Sequence, residues 1–356
     1  MNPEPPITRL SDLRAELSAL GAGPQHQARF LRAWLDQRPL RCGRARPENH
    51  FPRRLLEATP SLRARLDALL RPVSDHPGED GSRRLLLALH DGQTVESVLL
   101  PREGVCVSTQ IGCAVGCRFC MTGREGLIRQ LGSAEIVAQV VWARRLAPVR
   151  KVVFMGMGEP AHNLAAVLEA IETLGTEGGL AHKQLVFSTV GDPRAFDALA
   201  QARVKPALAL SLHSCNAARR RELLPRAPDL SPQELVEAAD RYGRATGYPV
   251  QYQWTLLQGV NDGEDELAGI EQLLHGRHGM LNLIPFNEVE GSGYRRPEWS
   301  HAADMARRLN RRGIYTRLRR SAGQDVEAGC GQLRARAAPP AQPRSFPIDG
   351  PRRQAT

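Results

Sequence analysis

The chain has few of the features that mark membrane and secreted proteins. No stretch of its 356 residues approaches the roughly 18 consecutive apolar residues that a membrane-spanning helix needs. The opening MNPEPPITRL lacks the positive start and the apolar centre of a secretory signal. Aromatic residues make up only 5% of the chain. These absences predict a cytoplasmic protein that makes no membrane contact.

Lysine is also scarce. The 48 basic residues include only Lys151, Lys183 and Lys205, so 45 are arginines, and the 38 acidic residues leave a net charge of +10. Because the planar guanidinium group suits phosphate, the preference for arginine over lysine favours a nucleic-acid partner. A genome rich in G and C would enrich arginine in the same way, so the charge leaves both explanations open.

Cysteine is unevenly distributed. Four of the seven cysteines lie within the fifteen residues from Cys106 to Cys120. In a reducing compartment, such crowding indicates metal binding or redox chemistry rather than a framework of structural disulfides. The remaining three are Cys42, Cys215 and Cys330.

Periodicity and composition divide the chain into five segments. Residues 1–75 place apolar residues three or four apart, which predicts a helical accessory domain that either packs on the main domain or binds RNA through its arginines. Residues 104–320 alternate strands and helices, which predicts an α/β fold with a parallel sheet curled into a full or partial barrel of six or so units. The other segments are a β-hairpin linker at 76–103, a loop with Cys330 at 321–335 and a disordered basic tail at 336–356.

The most informative segment is GCAVGCRFCMTG, where Cys113, Cys117 and Cys120 follow a C-x3-C-x2-C spacing directly after a predicted strand. In a parallel barrel, chemistry is located where the strands end. Three thiolates on one short loop can hold three irons of a cubane cluster and leave the fourth iron open. The alternative is a structural zinc site with Cys106 as fourth ligand. Zinc usually takes paired C-x2–4-C ligands, whereas Cys106 lies seven residues before Cys113.

From about residue 84 to 334 the chain resembles the radical SAM superfamily, and more narrowly the RlmN/Cfr family of radical SAM RNA adenine methyltransferases. The likeness rests on eight segments in one order: VCVSTQIGCAVGCRFCMTG, EIVAQVVW, VVFMGMGEP, VFSTVG, LALSLH, LLQGVND, NLIPFN and DVEAGCGQL. This resemblance implies a partial (β/α)6-type radical SAM barrel with a small N-terminal helical domain.

The resemblance also implies the cofactors and their ligands. Cys113, Cys117 and Cys120 would hold a [4Fe-4S] cluster whose open iron binds S-adenosylmethionine (SAM). Glu159 would receive the ammonium group of SAM. The residues implied to contact SAM are Gly158, Glu159, Ser188, Ser211, Leu212, His213 and Asn287.

Three further residues carry the chemistry that the resemblance implies. Cys330 would be the methyl carrier, methylated by one SAM and then converted by a second SAM to a carbon radical that adds to adenine. Cys106 would be the resolving thiol, through a transient disulfide with Cys330, and Glu96 the proton acceptor. We expect thiolate character in both cysteines near a cationic site. Taken alone, Cys330 would more often be a buried apolar residue and Glu96 a carboxylate on a solvated strand face.

The implied partners are an rRNA substrate, a tRNA substrate or both, and an external electron donor such as flavodoxin or ferredoxin. Carbon 2 of adenine is the first choice for the methylated position, and carbon 8 stays open. We expect a monomer. The chain departs from the family pattern at Gln130, at Ala161-His162, at Ser214–Ala217 and at Ala322-Gly323, so its substrate could differ. Two alternatives stay open: a radical SAM enzyme that acts on a protein or small molecule, and a non-catalytic, zinc-stabilised RNA-binding protein.

The metal content separates these possibilities. Protein reconstituted anaerobically with iron and sulfide should turn brown and retain both elements, because three thiolates can hold a cubane cluster. Elemental and sulfide analysis measures this directly. Zinc without iron would contradict the cluster and favour the RNA-binding alternative.

Overall fold

The computed structural model describes residues 5–41, 43, 46–289 and 291–334, so Cys42 and the predicted tail at 336–356 lie outside the described residues. The α-helices are α1 (Leu10–Ala19), α2 (Pro24–Leu35), α3 (Arg53–Asp67), α4 (Ser133–Leu146), α5 (Leu164–Thr176), α6 (Pro193–Gln201), α7 (Ala217–Leu223), α8 (Pro232–Thr246), α9 (Glu264–Leu274) and α10 (Trp299–Arg311). The strands are β1 (Leu70–Pro77), β2 (Arg83–Leu89), β3 (Thr94–Leu100), β4 (Gly104–Cys106), β5 (Gln110–Gly112), β6 (Leu127–Gln130), β7 (Lys151–Phe154), β8 (Leu185–Thr189), β9 (Ala207–Ser211), β10 (Val250–Leu256), β11 (Gly279–Pro285) and β12 (Thr316–Leu318).

A ten-stranded sheet runs through the molecule in the order β1-β2-β3-β4-β7-β8-β9-β10-β11-β12. Strands β1 to β4 pair antiparallel, and every later pair in this sheet is parallel. Helices α4, α5, α6, α8, α9 and α10 fall between successive parallel strands. The sheet has edges at β1 and β12, so the barrel is partial, and the predicted fold class is confirmed.

The start of the sheet differs from the prediction. We expected helical structure to residue 75, but the last N-terminal helix ends at Asp67 and β1 spans Leu70–Pro77. Pro72 lies at a register shift in this edge strand, a position where a strand tolerates proline. The two prolines of RPVSDHP interrupt the alternating pattern that would have revealed the strand. The predicted hairpin is present as β2 and β3.

The N-terminal helices share one apolar core with the barrel. Leu13 of α1 and Trp34 of α2 belong to the same buried cluster as Val137 of α4. We call the contact between the N-terminal helices and the barrel the seam. Across it the Leu10 N–H donates to the Ser133 hydroxyl at 2.8 Å. The Ala134 N–H donates to the Thr8 carbonyl at 2.9 Å. These contacts fit the packing role that we weighed for this segment.

None of the described helices is long and apolar enough to cross a membrane.

The seam yields a stability prediction with a matched control. A Cβ atom at Gly132 would lie 2.1 Å from the Thr8 carbonyl oxygen, whereas one at Gly23 would have nothing within 4 Å. Both glycines precede a helix in extended backbone. Gly132→Ala should lower the free energy of unfolding by about 1–3 kcal/mol more than Gly23→Ala, the usual cost of overpacking. Urea denaturation measures both. Equal losses would contradict the close contact at this seam.

Candidate active site

Most of the predicted site residues meet in one cavity beside the carboxyl ends of the parallel strands. Leu212, Asn287, Glu96 and Cys106 do not line this cavity. The predicted residues that line it are Cys113, Cys117, Cys120, Gly158, Glu159, Ser188, Ser211, His213 and Cys330. The sequence therefore predicted most of the residues that line the cavity, and the four that do not line it are described separately below.

The thiols of the cysteine loop lie close enough to influence one another. Burial raises the pKa of Cys113 to about 12, and the charge of Cys120 adds to the rise. Burial, followed by the charges of Cys120 and Cys113, raises the pKa of Cys117 well above its usual value. Three thiols that oppose one another's ionisation form a donor set that a cationic iron–sulfur cluster would stabilise. The loop therefore fits the cluster.

Cys106 lies apart from this donor set. Burial raises the pKa of its thiol to about 12, and the neighbouring charge that contributes is that of Cys330. Within the described ranges, no three Cys, His, Asp or Glu side chains converge as ligands of a single metal ion. Cys106 lies outside the cavity that the three loop cysteines line, so its position does not fit a zinc site in which it is the fourth ligand.

Glu159 provides a buried carboxylate beside the cysteines. One oxygen accepts the Val190 N–H at 3.1 Å, and the other accepts the Ala161 N–H at 3.1 Å. Burial raises the pKa of Glu159 to about 7. A cationic ammonium group in the cavity would offset that cost, so the residue fits the predicted contact with SAM. Gly158 has φ +103°, and a Cβ there would lie 2.6 Å from the Gln110 side chain.

His213 is held in a strained conformation at the end of β9. Its φ is +61°, and its Nδ1 accepts the Thr255 N–H at 3.0 Å. Burial lowers the pKa of His213 to about 3, so the ring is neutral and carries its proton on Nε2. The ring packs edge-on against Phe119 of the cysteine loop, with centroids 4.9 Å apart. Strain retained at such a position is typical of a binding site.

Sequence reasoning missed Arg220. Its buried guanidinium donates to the carbonyls of Val190 at 2.6 Å, Leu212 at 3.2 Å and Ser211 at 3.3 Å. It therefore ties together the ends of β8 and β9. Burial lowers the pKa of Arg220 to about 10, opposed by the charges of Cys117 and Glu159. The run AARRREL resembles a solvated helix face, so the sequence carries no signal that one of its arginines is buried.

The loop that carries Cys330 is fixed to the cysteine loop. The Met121 N–H donates to the Gly331 carbonyl at 2.7 Å, and the Thr122 hydroxyl donates to the Leu333 carbonyl at 2.6 Å. The Asn287 amide donates to the Cys330 carbonyl at 3.0 Å. Asn287 thus holds this loop, and its predicted SAM contact stays a prediction, as does that of the buried Leu212.

Cys330 itself is exposed and borders the cavity, in contrast to the buried apolar role that is commonest for an isolated cysteine. The dense surroundings raise the pKa of its thiol, as does the charge of Cys120, while Arg319 opposes the rise. These surroundings do not favour the thiolate form of Cys106, whose pKa is raised by burial, and the thiolate character expected at Cys330 stays a prediction.

Glu96 is fully buried, so the solvated position that its strand alone favoured is also wrong. Its carboxylate pairs with the Arg84 guanidinium and accepts the Arg334 N–H at 2.7 Å. Val98 lies opposite Cys106 in the β3–β4 pair. Because side chains alternate along a strand, Glu96 and Cys106 share the inner face of the sheet.

Two of the departures from the family pattern form one network. The Gln130 amide donates to the His162 carbonyl at 2.8 Å and accepts from the Gln110 amide at 2.9 Å. Gln110 in turn accepts the Glu159 N–H at 2.7 Å. These departures are therefore connected through Gln110 to the backbone of Glu159 in the predicted SAM site.

Comparison with known proteins places the chain among radical SAM proteins. Residues 107–269 match the model of the Radical SAM superfamily. A probable RNA methyltransferase of Thiobacillus denitrificans is 65% identical over 92% of this chain and 91% of its own length. One from Leptothrix cholodnii is 63% identical over 93% and 96%. The crystal structure of a radical SAM methyltransferase from Sphaerobacter thermophilus is 33% identical, with a TM-score of 0.79 over 92% of this chain and 98% of that one.

The buried pair of Arg84 and Glu96 allows a double-mutant test. Glu96→Gln leaves the Arg84 guanidinium buried without its counter-charge, which should lower the free energy of unfolding by about 3–5 kcal/mol. The double variant Arg84→Met/Glu96→Leu removes both charges and should recover most of that loss. Urea denaturation of both variants and of the native chain gives the three values. Native-like stability of Glu96→Gln alone would refute the buried ion pair.

Proposed function

Since the chain belongs to the radical SAM methyltransferase family, we propose that it methylates a ring carbon of adenine in RNA through an S-methylcysteine at Cys330. One observation carries this proposal: the Cys330 thiol opens into the same cavity as Cys113, Cys117 and Cys120. A thiol so placed can first accept a methyl group and then present it to a radical formed in that cavity. The finer likeness to the RlmN/Cfr type supports this assignment.

The cavity residues fit the two cofactors that the family implies. Cys113, Cys117 and Cys120 would hold a [4Fe-4S] cluster, and Glu159 and His213 would bind SAM together with Gly158, Ser188 and Ser211. When bound, these groups supply one methyl group by displacement and one hydrogen-abstracting radical by one-electron cleavage of a second SAM. An external reductant such as flavodoxin or ferredoxin would provide the electron.

The protein's own groups then complete the reaction. Cys330 loses its thiol proton when it is methylated, and its methyl carbon later becomes bonded to the adenine ring. The adduct radical would lose one electron, with the oxidised cluster as acceptor, and Glu96 would accept the proton that leaves the ring carbon. The Cys106 sulfur would attack the Cys330 sulfur, so the carbon leaves with its electron pair and takes up a proton to become a methyl group. The external reductant would return the resulting Cys106–Cys330 disulfide to two thiols. The described cysteines are all free thiols, so the structure does not support this disulfide, which stays a prediction.

The substrate class follows from charge and kinship. A net charge of +10 carried almost entirely by arginine suits a phosphate backbone. The curated relatives named above are probable RNA methyltransferases. We propose rRNA, tRNA or both as substrate, carbon 2 of adenine as the methylated position, and a monomer as the active form.

The roles of the two cysteines predict a trapped intermediate. Incubated with SAM, a reductant and total RNA, Cys106→Ala should accumulate protein covalently joined to RNA, because nothing then releases Cys330. Cys330→Ala should give none, and Cys215→Ala, which changes a thiol outside the cavity, should behave like the native protein. Denaturing gels with labelled RNA measure the adduct.

Two results would oppose the proposal. The absence of an adduct in Cys106→Ala would contradict the resolving role. In vivo, RNA from a deletion strain should lose 2-methyladenosine relative to its parent. If neither 2-methyl- nor 8-methyladenosine changes, the substrate assignment is wrong.

A further inference from the structure

The edge strand β12, the residues that flank it and the start of α10 expose aromatic and arginine side chains. Trp299 and Tyr315 are the aromatic members of the exposed large hydrophobic side chains among the described residues, at 43% and 50% exposure. Each is covered on one side by an arginine. Arg320 lies 4.9 Å from the Trp299 ring centre, and Arg317 lies 5.4 Å from that of Tyr315. We call Trp299, Tyr315, Arg317, Arg319 and Arg320 the edge strip.

Strand register places part of the edge strip on the interior face of the open barrel. Arg317 pairs with Asn282 in β11, two residues before Ile284, which lines the cavity. Because side chains alternate along a strand and partners in a parallel pair point the same way, Arg317 points to the interior side. Tyr315 and Arg319 share that side. Since β12 is an edge of the sheet, these side chains stand at the opening of the barrel.

The edge strip leads directly to Cys330. Arg319 acts electrostatically on the Cys330 thiol. Ser321, next to Arg320, accepts a hydrogen bond at 2.8 Å from the Asn287 amide, which also donates to the Cys330 carbonyl. The Asn287 amide therefore links the residue that follows the edge strip to the backbone of Cys330.

We propose that the edge strip binds the unpaired RNA nucleotides that flank the target adenine. Bases would stack on the open faces of Trp299 and Tyr315, and phosphates would pair with Arg317 and Arg319. This inference rests on the proposed function, which makes RNA the substrate. Single exposed apolar residues are common, but two exposed aromatic rings, each stacked by an arginine, on a strip whose Arg319 lies near the Cys330 thiol, match how proteins hold unpaired RNA.

Binding to a defined probe tests the edge strip. Fluorescence anisotropy with a labelled twelve-nucleotide poly(A) strand would be measured on the full-length, cluster-reconstituted chain. Trp299→Ala and Tyr315→Ala should each raise Kd about ten-fold, the scale of a lost base stack, whereas Trp299→Phe should retain most affinity. Arg317→Ala should also flatten the dependence of log Kd on log salt by about one unit. Arg203→Ala, which removes a surface arginine 76% exposed beside Glu172, is the matched control and should bind like the native chain.

A second readout reports stacking itself. Trp34 and Trp254 are buried and Trp142 is half-buried on α4, so the exposed Trp299 should account for most of the fluorescence quenched by the probe. Trp299→Ala should remove most of that quenching, and Trp142→Phe should leave it unchanged. Kd values within two-fold of native for both aromatic-to-alanine variants, or tighter binding to a matched duplex, would overturn the proposal. S-methylation of Cys330 by SAM needs no RNA and should survive in these variants. Its absence from the native chain would instead count against the proposed function.

Discussion

The attachment of the C-terminal loop to the cysteine loop is the constraint on which the site depends. The Gly331 and Leu333 carbonyls accept hydrogen bonds from Met121 and Thr122, immediately after Cys120. Without these bonds, the thiol of Cys330 would have no fixed relation to a cysteine 210 residues earlier in the chain. Because Glu96 also accepts the N–H of Arg334 further along the same loop, Cys330, the cysteine loop and the buried carboxylate are held as one unit.

Burial sets the electrostatics of that unit. It raises the pKa of Glu159 to about 7 and that of Cys106 to about 12, and it lowers the pKa of His213 to about 3. The shifts of Glu159 and His213 disfavour charge on residues that line the cavity, so the site is best suited to ligands that bring their own charge. An ammonium group, a sulfonium and an iron cluster all do so. Arg220 supplies a cation from behind while three carbonyls satisfy its guanidinium.

The sequence predicted the cavity-lining residues best where a short motif follows a strand. The alternating pattern predicted the parallel partial barrel, and strand-end residues such as Ser188 and His213 do line the cavity. It failed where long-range packing decides. The burial of Glu96 depends on Arg84 across the sheet and on Arg334 from the far end of the chain. The role of Asn287 in holding the Cys330 loop, and the burial of Arg220, likewise arise from contacts that no local pattern encodes.

The central claim is that Cys330 carries the methyl group. Mass spectrometry of the Cys330 peptide, after incubation of the reconstituted protein with SAM bearing a deuterated methyl group, tests it most directly. The account predicts one deuterated methyl on Cys330 and none on Cys215. An unmodified Cys330 peptide, from protein that holds its full complement of iron and sulfide, would contradict it.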